Sequence, residues 1–204
     1  RLLSSSIYCL LLLGGGYFGV KNLHDNPTKY SDTTIQLVQA NISQPHKWEA
    51  SKQREAIDKH LALSNTSAES EVANIVIWPE SAFPFVLEKG IPPVAYVLSH
   101  LAENSHLITG ALRAEKNNDR VDIWNSLLAL NANGEIVSSY DKYKLVPFGE
   151  FIPLRGFIPL EKKITHGIQD FSKGQGSKVV SLGEGIPSFM PLICYEAIFP
   201  KLSY

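Results

Sequence analysis

Cysteine is nearly absent from this chain. Its 204 residues include two, Cys9 and Cys194, too few for the disulfide framework of a small secreted domain. Excess charge of one sign is equally scarce. Nineteen Lys and Arg against twenty Asp and Glu leave a formal net charge of −1, so there is no whole-chain footprint for nucleic acid and no such partner is expected. The 14 Gly and 12 Pro follow no collagen-like or low-complexity period, and no internal repeat is present. An initiator Met is missing too: the chain opens on Arg1 and stops at Tyr204, and it reads as an internal fragment of a longer protein. What is there is 44% hydrophobic and 19% charged, a composition for one sizeable globular unit and a small appendage.

Between Arg1 and Lys21 no residue carries a formal charge. A helix of that length spans about 28 Å, close to the hydrocarbon thickness of a bilayer. Residues 1–21 are therefore expected to be the end of a transmembrane helix, with 22–32 a polar linker. A cleaved signal peptide and a buried core helix are the alternatives, because the strongly apolar stretch is confined to 7–20 and Gly14–Gly16 supplies small residues. Cys9 within it reads as a small hydrophobe.

From residue 33 the chain alternates strand-like and helix-like segments. Residues 33–40 (TTIQLVQA), 74–78 (NIVIW), 106–112, 123–131, 135–140, 178–182 and 189–194 read as strands. Residues 50–67, with apolar positions near helical spacing, and 93–104 read as helices. Ala132-Asn133-Gly134 between two strands predicts a hairpin. The alternation predicts a layered α/β protein with a mixed sheet.

Three polar residues end apolar runs. Glu80 follows NIVIWP, Lys142 follows the strand ending at Tyr140, and Cys194 follows FMPLI just before a helix-like start. Singly each has a bland reading: a solvated loop carboxylate, a surface lysine, a buried structural thiol. Together, at the ends of separate strands, they can converge at one sheet edge. A thiol is mostly protonated at neutral pH, so a base must take its proton during attack. A carboxylate sheltered from water can do this and later return the proton. Attack on a carbonyl creates an oxyanion, which a nearby ammonium stabilises.

The motifs WPES (78–81), NS (125–126), YDKYKLVPFGEFIP (140–153) and ICYEAIFP (193–200) resemble the nitrilase superfamily and, within it, the apolipoprotein N-acyltransferases. The resemblance runs from about 33 to 200. It implies an αββα sandwich, incomplete at its C-terminal end, with Glu80 as general base, Lys142 as oxyanion-stabilising lysine and Cys194 as nucleophile. It further implies a second essential carboxylate at Glu150, functional positions at Tyr195 and Glu196, and a tryptophan near the site at Trp48. The implied reaction passes an acyl chain from a membrane phospholipid through a cysteine thioester to the amino group of a diacylglyceryl-cysteine apolipoprotein. It needs no metal or organic cofactor. The implied location is the periplasmic side of the bacterial inner membrane.

Composition adds one point. Residues 145–160 (LVPFGEFIPLRGFIPL) carry only Glu150 and Arg155 as charges, with three prolines, and read as an apolar loop. The loop is expected either to plug the core or to act as a flap, in which Phe151, Ile152, Leu154, Phe157 and Ile158 meet lipid. Residues 83–87 (FPFVL) are a second such loop. Two rival functions share these features: a nitrilase-family amidohydrolase acting on small amides, and an inert membrane-anchored module with Cys194 buried.

Overall fold

The computed structural model describes residues 2–43, 47–64, 74–87, 92–101, 103, 105–117, 120–154 and 170–202. It forms two units, 1–32 and 33–204.

The first unit is one helix, α1 (Leu2–Asp25), whose side chains are exposed from Ser5 onward. Among the described residues no helix is long and apolar enough to cross a membrane. The helix runs on past residue 21 through the polar stretch from Lys21 to Asp25. The linker accordingly begins at Asn26, whose side chain bonds back to Asn22.

The second unit is built on a mixed sheet. Its strands are β1 (Thr34–Leu37), β2 (Asn74–Ile77), β3 (Phe83–Val86), β4 (Ser105–Asn117), β5 (Arg120–Leu130) and β6 (Ile136–Asp141). The order is β1-β2-β4-β5-β6; β1, β2 and β4 run parallel, and β4, β5 and β6 antiparallel. Helices among the described residues accompany it. α2 (Gln53–Leu63) follows a short 3-10 turn at Ala50–Lys52, and α3 is Pro92–Leu98.

Alternation along the strands divides the core. Val76, Leu107, Leu128 and Leu130 join Ile57 of α2 and Val94 and Val97 of α3 in one cluster. Their neighbours Ile75, Ile108 and Ala129 join Val180 and Leu182 in another. With a side-chain period of two, these are the two faces of the sheet. Segments 178–182 and 189–194, expected as strands, meet only through a single bridge, Val180 with Phe189. Pro187 and Pro191 flank that bridge and have no N–H to extend a ladder.

One irregularity positions the site. β2 pairs with Ser105–Ile108 of β4, and β3 rejoins the same side of β4 at Ala111 and Leu112. The five residues 78–82 face only Thr109 and Gly110 on β4, so the excess backbone is forced out of the sheet with Glu80 at its crest. The segment 83–87, expected as a loop, is thus partly strand. Pro84 is tolerated because pairing there is limited to Phe83 and Val86. Gly110 lies under the crest: a Cβ there would stand 2.6 Å from both Glu80 Cα and Ser81 N. Gly110→Ala is expected to cost about 1–3 kcal/mol through overpacking and to displace Glu80. A lower urea midpoint together with altered Cys194 alkylation would check it.

The hairpin joining β5 and β6 matches expectation. Asn131 Oδ1 accepts from the N–H groups of Asn133 and Glu135, and Gly134 takes a φ of +80°.

Candidate active site

Each element delivers one group to a common point. The β2–β3 interruption presents Glu80. Lys142 immediately follows β6, with its N–H bonded to Asn125 O on β5 at 2.9 Å, and its side chain is 1% exposed. Cys194 opens a 3-10 turn, Cys194–Ile198, after extended Ile193. Its φ is +52°, a left-handed conformation that non-glycine residues adopt at a cost of about 1–3 kcal/mol and that recurs at working sites.

Glu80, Lys142 and Cys194 meet. The Cys194 thiol lies within electrostatic reach of both the Glu80 carboxylate and the Lys142 ammonium. Lys142 Nζ lies 3.9 Å from Glu80 Oε1 and 2.8 Å from Glu150 Oε1. Asn125 Nδ2 donates to both carboxylates, at 2.6 Å to Glu80 Oε1 and 3.1 Å to Glu150 Oε1. The second oxygen of Glu150 accepts the Val146 N–H at 2.9 Å. Lys142 is therefore a buried cation between two carboxylates whose spacing is set by one neutral amide.

Burial pushes the Cys194 thiol above its ordinary pKa, and the Glu80 charge pushes the same way. Lys142 and the Tyr195 main-chain N–H oppose them. The thiol is thus held protonated at neutral pH, beside an acceptor for its proton.

Glu196, fully buried, ties the turn that Cys194 opens to the loop after Lys142. Its Oε1 accepts from Tyr140 Oη at 2.9 Å and from the Tyr143 and Lys144 N–H groups at 2.8 and 2.9 Å. Its Oε2 accepts the Ile193 N–H at 2.8 Å. Burial and this carboxylate together push the Tyr140 phenol well above its usual range. Tyr195 is 54% exposed, with its ring edge-on to Phe199. Trp48 is half-buried and directly follows Lys47, whose Nζ donates to Glu80 O at 2.8 Å.

In the apolar segment after Lys142, Ile152 is buried, Phe151 half-buried and Leu154 70% exposed. This stretch is part plug and part exposed surface; Phe157 and Ile158 lie outside the described residues.

Two contributors were not expected. In the sequence Asn125 stands out only as part of the NS motif, although an amide inside an apolar strand run is itself a signal. Lys47 had none, because its partner is a main-chain oxygen 33 residues away.

Residues 34–204 match the carbon-nitrogen hydrolase family. The chain belongs to that family. Curated relatives within reach include proteins named apolipoprotein N-acyltransferase from Rickettsia typhi, 34% identical over 98% of this chain and 39% of the relative. One of the same name from Geobacter metallireducens is 34% identical over 95% of this chain and 37% of the relative. The chain thus spans about two fifths of the length of these relatives. Among solved structures, a CN-hydrolase superfamily protein from Xanthomonas campestris matches with a TM-score of 0.50 and 20% identity, covering 82% of this chain and 55% of that one. An amidase from Nesterenkonia sp. matches with a TM-score of 0.50 and 18% identity, covering 86% and 60%. At these identities the structures speak for the carbon-nitrogen hydrolase fold alone.

Proposed function

We propose that this carbon-nitrogen hydrolase chain carries the active site of an apolipoprotein N-acyltransferase, with Glu80, Lys142 and Cys194 as its catalytic residues. The convergence of three groups on one point carries the reading: the Lys142 ammonium lies 3.9 Å from the Glu80 carboxylate, and both charges act on the Cys194 thiol. The similarity to relatives of that name favours acyl transfer over hydrolysis. The acyl donor is a membrane phospholipid and the acceptor a diacylglyceryl apolipoprotein. The reaction takes place at the bacterial inner membrane, on its periplasmic side.

In the first half-reaction Cys194 Sγ attacks the ester carbonyl as its proton moves to Glu80. The carbonyl electrons form an oxyanion stabilised by the Lys142 ammonium and the Tyr195 N–H. Collapse breaks the C–O bond, Glu80 returns the proton to the leaving alkoxide, and a lysophospholipid departs from the acyl-thioester. In the second half-reaction the α-amine attacks the thioester, Glu80 takes a proton from the nitrogen, and collapse releases the sulfur, which is reprotonated. Glu150 and Asn125 hold Lys142 and Glu80 in place; Glu196 fixes the turn bearing the nucleophile.

Intact-mass measurement of the protein expressed from its complete gene, after incubation with phospholipid, tests this. The expected result is an acyl-sized increase, removable by hydroxylamine and absent from Cys194→Ala. No adduct with any phospholipid, together with ammonia release from small amides, would establish a hydrolase instead.

A further inference from the structure

Lys47 belongs to no motif and sits in the segment between β1 and α2. Its half-buried side chain lines a cavity of about 170 Å³ together with His60, Asn41, Glu80 and Ser81. Its Nζ donates to the main-chain oxygen of Glu80 at 2.8 Å, at the point where Ser81 adopts a φ of +52°. The ammonium is also attracted by the Glu80 carboxylate and by Cys194, while burial lowers its pKa.

Counting charges around the reacting atoms gives this residue a task. With the thiol protonated, Lys47 and Lys142 balance Glu80 and Glu150. When the proton passes to Glu80, the anions become Glu150 and the sulfur. Lys142 is in close contact with Glu150. Among the described residues, Lys47 makes its short bond to a neutral carbonyl instead, so its charge is free to offset the new anion. A carbonyl-bound ammonium in a partly solvated wall acts over a few ångströms with modest but real strength.

We propose that Lys47 is a positioning residue of this site: it pins the Glu80–Ser81 turn through the Glu80 carbonyl and supplies the second positive charge that favours the Cys194 anion. The proposal rests on Cys194 being the nucleophile. The test alkylates Cys194 with neutral iodoacetamide and anionic iodoacetate in the complete-gene protein carrying Cys9→Ser, because Cys9 is also exposed. In Lys47→Met the iodoacetate rate is expected to fall roughly three- to tenfold further than the iodoacetamide rate, the effect of removing one nearby unit charge. Lys47→Arg should restore the ratio of the two rates. An unchanged ratio in Lys47→Met, an equal slowing of both reagents, or an Arg variant that behaves like Met would each overturn the proposal. No reaction of Cys194 in the parent protein would remove the nucleophile reading itself, a result separate from any effect of Lys47.

Discussion

Glu80→Gln should speed alkylation of Cys194 by iodoacetamide at neutral pH while lowering acyl transfer by roughly 10²–10⁴, the range for loss of a general acid–base. The two effects have opposite signs for one reason. The Glu80 charge raises the Cys194 pKa, adding to the larger effect of burial. Replacing the carboxylate by a neutral amide removes that contribution, so the thiol pKa falls and more thiolate is present at pH 7. Alkylation needs only thiolate. Acyl transfer also needs the proton to be accepted, held and returned to the alkoxide, which an amide cannot do. The substitution is close to isosteric and keeps an oxygen for Asn125 Nδ2, so the fold should tolerate it. Alkylation followed against pH, with the phospholipid-dependent thioester burst measured alongside, checks both halves. A slower alkylation, or a burst of undiminished rate, would show that Glu80 does not serve as the base.

How much of this was legible in the sequence follows from where the physics is local. The strands β1, β2, β4, β5 and β6 announce themselves as apolar runs bounded by turn residues, and Gly134 marks the hairpin. Glu80, Lys142 and Cys194 were legible because each ends such a run. β3 was not, because FPFV looks like loop until β4 is seen to extend past Ile108 and offer it a partner. The bridge between Val180 and Phe189 defeated the opposite expectation: apolar runs without a continuous neighbour do not become strands. Asn125 and Lys47 act through tertiary contacts with carboxylate and carbonyl oxygens far away in sequence, and no pattern of period two or 3.6 reports such contacts. The positions of Glu150 and Glu196 came from the resemblance. Only the geometry gives them separate tasks, one holding a cation and the other joining two loops.

Glu150→Ala should cost the protein about 3–5 kcal/mol, the loss expected when one partner of a buried ion pair is removed. Lys142 is 1% exposed and Glu150 side-chain exposure is 10%, so the stranded ammonium has no ready path to water. Glu80, 3.9 Å away, is too distant for a replacement hydrogen bond without leaving Cys194. The Val146 N–H and one of the two Asn125 bonds lose their acceptor as well. Glu150→Gln keeps an oxygen for one of these donors and should lose less stability, yet it removes the charge that holds Lys142 away from Glu80. Lys142 should then move toward Glu80, weakening the base, so acyl transfer falls in Gln as well as Ala. Combining Glu150→Leu with Lys142→Met separates folding from chemistry. With no unpaired charge left behind, the double variant should regain a substantial part of the stability lost in Glu150→Ala, while forming no thioester. Urea midpoints of the three variants, set beside their thioester bursts, give the comparison. A double variant no more stable than Glu150→Ala would mean that the lost amide partners, rather than the stranded lysine, dominate the cost. One that still formed the thioester would remove Lys142 from the chemistry.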